Sequence, residues 1–236
     1  MTIVANSDIG EIVRRGETIM AVLEESSMQE QAEELSIIIS RLATILGTIR
    51  EGFKHLKSLP GDDLVKQLQD LLEEIAFSTV REDEAMIGRA IKSRSRVFRY
   101  QSILSHLKIV TATISSLVEE QQKLFSGKFS LSEKAVEQTD ILFTQQEMIL
   151  CTLAETIRTG DELHLRAVCS ACNEFIRICR QSTNEHEKRV GKGLCLPASA
   201  TYFLTILDGM RSLVHHEQEI VKLLVRWKRT NQNLFP

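Results

Sequence analysis

Towards the C-terminal end, the stretch MRSLVHHEQEIV (residues 210–221) places His215, His216, Glu217 and Glu219 within five consecutive positions. Imidazole nitrogens and carboxylate oxygens ligate transition metals and exchange protons near neutral pH. On a helix, residues four apart share a face, so Arg211, His215 and Glu219 lie together while His216 looks elsewhere. One histidine with one glutamate supplies two metal ligands, whereas metal centres in helical bundles collect several from facing helices. A surface His–Glu ion pair would use the same residues. Glu217 raises a separate question. Phe203, Ile206, Met210, Leu213, Ile220, Leu224 and Trp227 form a seam of three-and-four spacing, and Glu217 fills its missing place. A carboxylate there is costly unless paired or hydrated, so a basic partner or a solvated edge is expected.

Two other groupings carry chemistry. Cys169-Ser-Ala-Cys172 is a CxxC, the spacing of a redox pair or half a zinc site. No second CxxC accompanies it, and Leu165, Cys169, Cys172, Ile176 and Cys179 have heptad spacing, so the sulfurs read as small apolar core fillers. The run RAIKSRSRVFR gathers Arg89, Lys92, Arg94, Arg96 and Arg99, a cluster able to hold a phosphate, an anionic headgroup or an acidic partner surface. A solvated junction between helices is the simpler account. Lys222, Arg226, Lys228 and Arg229 form a second basic cluster on the last helix.

The elements that position these residues are helices. With 26% charged residues, 5% aromatics and 3 prolines, the chain lacks the β-branched runs and turn residues of a sandwich. Its 236 residues, 43% hydrophobic, are enough for a substantial core, and an all-α fold is expected. The net charge of −3 creates no global field for nucleic acid, and none is expected as a partner. No apolar run approaches the roughly 20 residues of a membrane span, and no signal-peptide layout opens the chain. Five cysteines, most within helical patterns, fit a reducing cytoplasm.

Apolar periodicity predicts helices over about 29–57, 62–90, 94–125, 130–158, 161–190 and 198–227. SLPGDD, FSGKFS, TGD and GKGLCLP separate them, with Asp62 or Asp63 as cap of the second helix and Ser130 or Ser132 as cap of the fourth. Helices of about 28 residues are some 40 Å long, and short connections make neighbours antiparallel. Three helices, a break and three more suggest a duplication offset by about a hundred positions, in which Tyr100–Leu117 matches Tyr202–Ile220 within a residue. The expected organisation is an N-terminal amphipathic helix within 1–28, a three-helix repeat over 29–125 and a second over 130–230.

The helix opening LSEKA, the TGD turn, NEHEKRVGKG before the break and ATYFLTIL in the last helix together resemble a PhoU-like domain. The form resembled is the one attached to the cytosolic end of bacterial sodium/phosphate cotransporters, and the likeness extends over about residues 29–228. It implies two pseudo-symmetric antiparallel three-helix bundles and a part in phosphate uptake. Many members carry an acidic E-x-x-x-D motif on the third helix of each repeat and bind metal clusters there. The matching positions here are Lys108 and Ala112, then Arg211 and His215; a slip of one residue would substitute Leu107 and Thr111 in the first. The acids are gone from both, so no metal or other cofactor is expected, with His215 and Glu219 left as weak candidate ligands.

The resulting expectation is a non-enzymatic, cytoplasmic helical module at the inner face of a membrane. It would regulate, or form part of, a sodium-dependent phosphate transport system by contact with the transporter in cis or in trans. Peripheral membrane contact and homodimerisation are compatible with this. The alternative is a spectrin-like scaffold unrelated to phosphate.

Overall fold

A computed structural model describes residues 5–55, 61–86, 91–126, 131–194 and 197–232, with side-chain environments for 27–54, 62–84, 94–126, 131–194 and 199–226. All regular structure among them is helical: α1 (Ala5–His55), α2 (Gly61–Met86), α3 (Ile91–Ser126), α4 (Glu133–Thr159), α5 (Glu162–Gly191) and α6 (Pro197–Gln232). No described helix is long and apolar enough to cross a membrane.

Local chemistry sets the helix ends. Ser132 caps α4, its side chain accepting from the Ala135 backbone N–H. At the other end Gly160 adopts φ 65°, a left-handed conformation that glycine enters without a Cβ penalty, and its N–H returns to the Thr156 carbonyl. Asp161 follows at once as the N-cap of α5, accepting from the Leu163 N–H at 2.8 Å. Thr-Gly-Asp therefore ends one helix and starts the next.

The N-terminal segment differs from the expectation of a separate amphipathic helix within 1–28. It is continuous with α1, a single helix of 51 residues about 75 Å long. The sequence Glu-Ser-Ser-Met-Gln-Glu at 25–30 contains no glycine or proline to interrupt backbone hydrogen bonding.

The two halves also pack more intimately than consecutive bundles would. α1 lies along α4, and α3 along α6, as the two major contacts between halves. Both pairs are antiparallel: Arg50 reaches Glu147 at 2.9 Å while Glu33 acts on Arg158, and His106 meets His216 while Leu117 lies beside Gly209. One continuous apolar cluster runs through both halves.

The duplication is visible in what is buried. Leu64, Leu68, Leu71, Ile75, Ser78 and Glu82 of α2 correspond to Val168, Cys172, Phe175, Cys179, Ser182 and His186 of α5, each 104 positions on. Tyr100, Ile103, Leu107, Val110, Ile114 and Leu117 of α3 correspond to Phe203, Ile206, Met210, Leu213, Glu217 and Ile220 of α6 at a shift of 103. In α1 and α4 the shift is again 104, so Leu42 is matched by Gln146. A polar hub recurs too. Glu34 accepts from Ser78, from Tyr100 at 2.8 Å and from Arg81 at 2.5 Å, tying α1, α2 and α3 together. Its counterpart Gln138 donates to Glu185 at 2.8 Å and accepts from Arg189 at 2.7 Å. Burial pushes the Glu34 carboxyl up, but its hydrogen bonds from Ser78, Tyr100 and Arg81 prevail and hold it below the usual range.

Candidate functional site

The chemically distinctive residues converge where α6 packs against α3 on one side and α4 on the other. Burial of Phe203, Ile206, Met210, Leu213 and Ile220 fixes the rotation of α6, and the rotation fixes what its polar residues meet. His216 turns towards α3, where its Nδ1 lies 2.9 Å from Nδ1 of His106, with ring centroids 5.2 Å apart. His215 is exposed and stacks edge-on against His216 at 5.3 Å. Burial depresses the His106 imidazole, with Glu219 opposing and His215 reinforcing the shift. Burial likewise depresses His216, reinforced by His106 and His215 and opposed by Glu219. The pair is therefore biased towards the neutral form, in which one ring donates and the other accepts.

Glu219 does not join His215 as a ligand pair. It accepts from Lys222 Nζ at 2.6 Å, and that hydrogen bond holds its carboxyl below the ordinary range. Arg211, expected on the same face, donates to Asp208 at 2.9 Å and to the Thr183 hydroxyl of α5. Lys108 and Ala112 are exposed on α3. Among the described residues, no set of three or more His, Cys, Asp or Glu side chains is arranged to hold a metal ion. The side chains at the four positions that the resemblance matched to a motif, Lys108, Ala112, Arg211 and His215, do not fit a metal cluster: two are cationic and one is a methyl group.

Glu217 requires a correction. It is neither at a solvated edge nor paired with a base. Its exposure is 0%, and its described partner is the side-chain amide of Gln146 on α4, whose Nε2 donates to Oε1. Burial raises this carboxyl to about 8 despite the amide hydrogen bond.

The cysteine pattern divides as well. Cys172 and Cys179 are buried, and burial pushes their thiols up to about 12 and about 11. Cys169 is exposed. The buried seam of α5 is Val168, Cys172, Phe175, Cys179, Ser182 and His186, and Cys169 lies one residue, about 100° of helix rotation, away from it. Of the basic junction, Arg89 lies outside the described residues and Lys92 outside those whose side chains are described. Arg94 is exposed, Arg96 and Arg99 are partly buried, and burial followed by Arg96 lowers the affinity of the Arg99 guanidinium for its proton.

Sequence reasoning missed His106 and Gln146, which supply the partners of His216 and Glu217. They stand 110 and 71 positions away, and neither spacing along the chain nor composition marks them.

The arrangement defines a class: an all-α protein of two similar three-helix units sharing one core, with a histidine pair and a buried carboxyl on its final helix. Among solved structures, the crystal structure of PhoU from Pseudomonas aeruginosa has this fold, with a TM-score of 0.70 and 10% identity, covering 88% of this chain and 98% of that one. At that identity the likeness shows a PhoU-like fold. No family model matches the sequence. No curated protein matches it either.

Proposed function

We propose that this chain is a PhoU-like regulatory module of a phosphate transport system, acting through protein contact and without catalysing a reaction. One observation supports the reading above all: the likeness to PhoU covers 88% of this chain and 98% of that one, so it takes in both three-helix units of this chain. A scaffold of tandem three-helix units would have no need to merge its units into a single core. The partner is a membrane phosphate transporter, the sodium-dependent cotransporter in particular, met at the cytoplasmic face. Regulation would arise because the module binds one transport conformation more tightly than another.

Several features suit a docking role. Lys108 and Arg211 put positive charge at equivalent places in the two repeats, and Arg94, Arg96 and Arg99 add a basic region at the start of α3. Such charges steer association with an acidic surface and weaken it with salt. The test is phosphate uptake by the host with the chain deleted, restored, or restored as Arg94→Glu/Arg96→Glu/Arg99→Glu, together with cross-linking in the membrane fraction. Altered uptake on deletion, and a cross-link to a phosphate transporter that weakens in the triple variant, are expected. Unaltered uptake with no such cross-link would sink the proposal.

A further inference from the structure

Glu217 is fully buried on α6, and Gln146, which donates to its Oε1, is fully buried on α4. That single hydrogen bond leaves two oxygens, Gln146 Oε1 and Glu217 Oε2, buried without a partner among the described residues. With the carboxyl ionised, both would be acceptors and neither could satisfy the other. A proton on Oε2 turns it into a donor, and the amide oxygen of the same glutamine is the acceptor left over. Primary amide and carboxylic acid are complementary planar groups, so one proton resolves both deficits.

The fold does not require polar groups at this place. The first repeat has Leu42 and Ile114 at the equivalent positions of α1 and α3, both fully buried. Apolar side chains thus fill the same location in the same architecture, and the second repeat carries an ionisable pair at the junction of its first and third helices instead.

We infer that Glu217 and Gln146 form a buried proton-binding site that fastens α6 to α4, and that losing the proton leaves an uncompensated carboxylate in the core and loosens this contact. The inference goes beyond the proposed phosphate role and does not depend on it. The groups around the site are consistent with it. From α4 the facing group is the uncharged Gln146 amide. From α5 it is the Cys172 thiol, raised first by burial and then by Glu217 itself. On α3, His106 is engaged with His216 and has no part in the carboxyl's ionisation. Along α6, His215 is exposed and Glu219 is held by Lys222, so neither compensates Glu217. Burial dominates the carboxyl's ionisation and no basic group contributes to it.

The sign follows. The folded carboxyl is raised from 4.5 to about 8, so its contribution to stability is complete below about 4.5 and is lost as pH rises through about 8. Neutral pH lies on this slope, where a modest alkaline shift changes how firmly α6, with Arg211 and His215 on its outer side, is seated.

The experiment compares the full chain with Glu217→Gln, a neutral mimic of the protonated form, and with Gln146→Leu/Glu217→Ile, which copies the first repeat. Infrared difference spectra with isotope-labelled glutamate should show a protonated carboxyl in the wild type at pH 7. It should be lost through about pH 8 and be missing from both variants. The urea midpoint of the wild type should fall between about pH 6 and 9, and amide exchange in α6, corrected for intrinsic rates, should accelerate, with both trends absent from the variants. A Glu217 carboxylate already ionised at pH 6, or an alkaline loss of stability equal in wild type and the double variant, would overturn the inference. Should Glu217→Gln fail to fold, the wild-type spectra and the double variant still decide.

Discussion

His106 and His216 meet Nδ1 to Nδ1 at 2.9 Å across the α3–α6 seam, although 110 positions separate them in the chain. At that distance the two nitrogens share one proton comfortably, while two protons would set cation against cation at the junction of the two repeats. The relationship makes the junction acid-sensitive from the side opposite to Glu217.

Both imidazoles are depressed below 6.5 in the folded protein, so the unfolded chain binds more protons below that value. Their contribution to stability is complete above 6.5 and is lost as pH falls through it towards the depressed folded values. In a Glu217→Gln background, which removes the opposing titration of the buried carboxyl, urea midpoints should decline between about pH 7 and 5, and decline less when His106→Gln or His216→Gln is added. Equal slopes in all three proteins would show that the pair does not govern acid stability.

The thiols should react in a definite order. Cys169 is exposed, whereas Cys172 and Cys179 are buried with thiols raised to about 12 and about 11. In timed alkylation followed by peptide mapping, Cys169 should label before Cys172 and Cys179, which should react only as the second repeat opens. Simultaneous labelling of Cys169 and Cys172 would contradict the placement of α5.

At Gly209 α6 approaches α3 closely, since a Cβ there would stand 2.9 Å from Leu117 Cδ2. Alanine would gain about 1 kcal/mol of helix propensity, but overpacking a buried leucine costs about 1–3 kcal/mol. Gly209→Ala should therefore destabilise the wild type by about 1 kcal/mol, and should stabilise a Leu117→Ala background, where the cavity accepts the methyl. A double-mutant cycle in urea with no coupling between the two changes would refute this contact.

Metal content follows from charge. Lys108 and Arg211 place cations where a metal ion would be repelled, and Glu219 is already engaged by Lys222. Elemental analysis of tag-free protein purified without added metal should find less than one equivalent of iron or zinc. Two or more equivalents, lost in His215→Ala/Glu219→Ala, would show that these residues hold a metal despite the neighbouring cations.

How much of this could be read along the chain depended on whether the physics was local. Apolar residues at three-and-four spacing define helices whatever surrounds them, and Ser132, Gly160 and Asp161 act on backbone groups within four positions. The all-α class, the helix boundaries from α2 onward and the match between Tyr100–Leu117 and the last helix were therefore legible, with the register resolved to 103 once burial was known. Rotation about a helix axis was not. Val168 and Cys169 are adjacent, and heptad arithmetic admits either to a seam; the docking of α4 and α6 against α5 chose Val168 and left Cys169 outside. Nor does a pattern in α6 identify what Glu217 and His216 will touch. Gln146 and His106 reach them only because the halves share one core and run antiparallel across it, and that arrangement buries apolar faces from both halves in one cluster. Local hydrogen bonding and periodicity determined the helices; the long-range burial of their apolar faces decided which polar groups were enclosed together, and so where protons can be held.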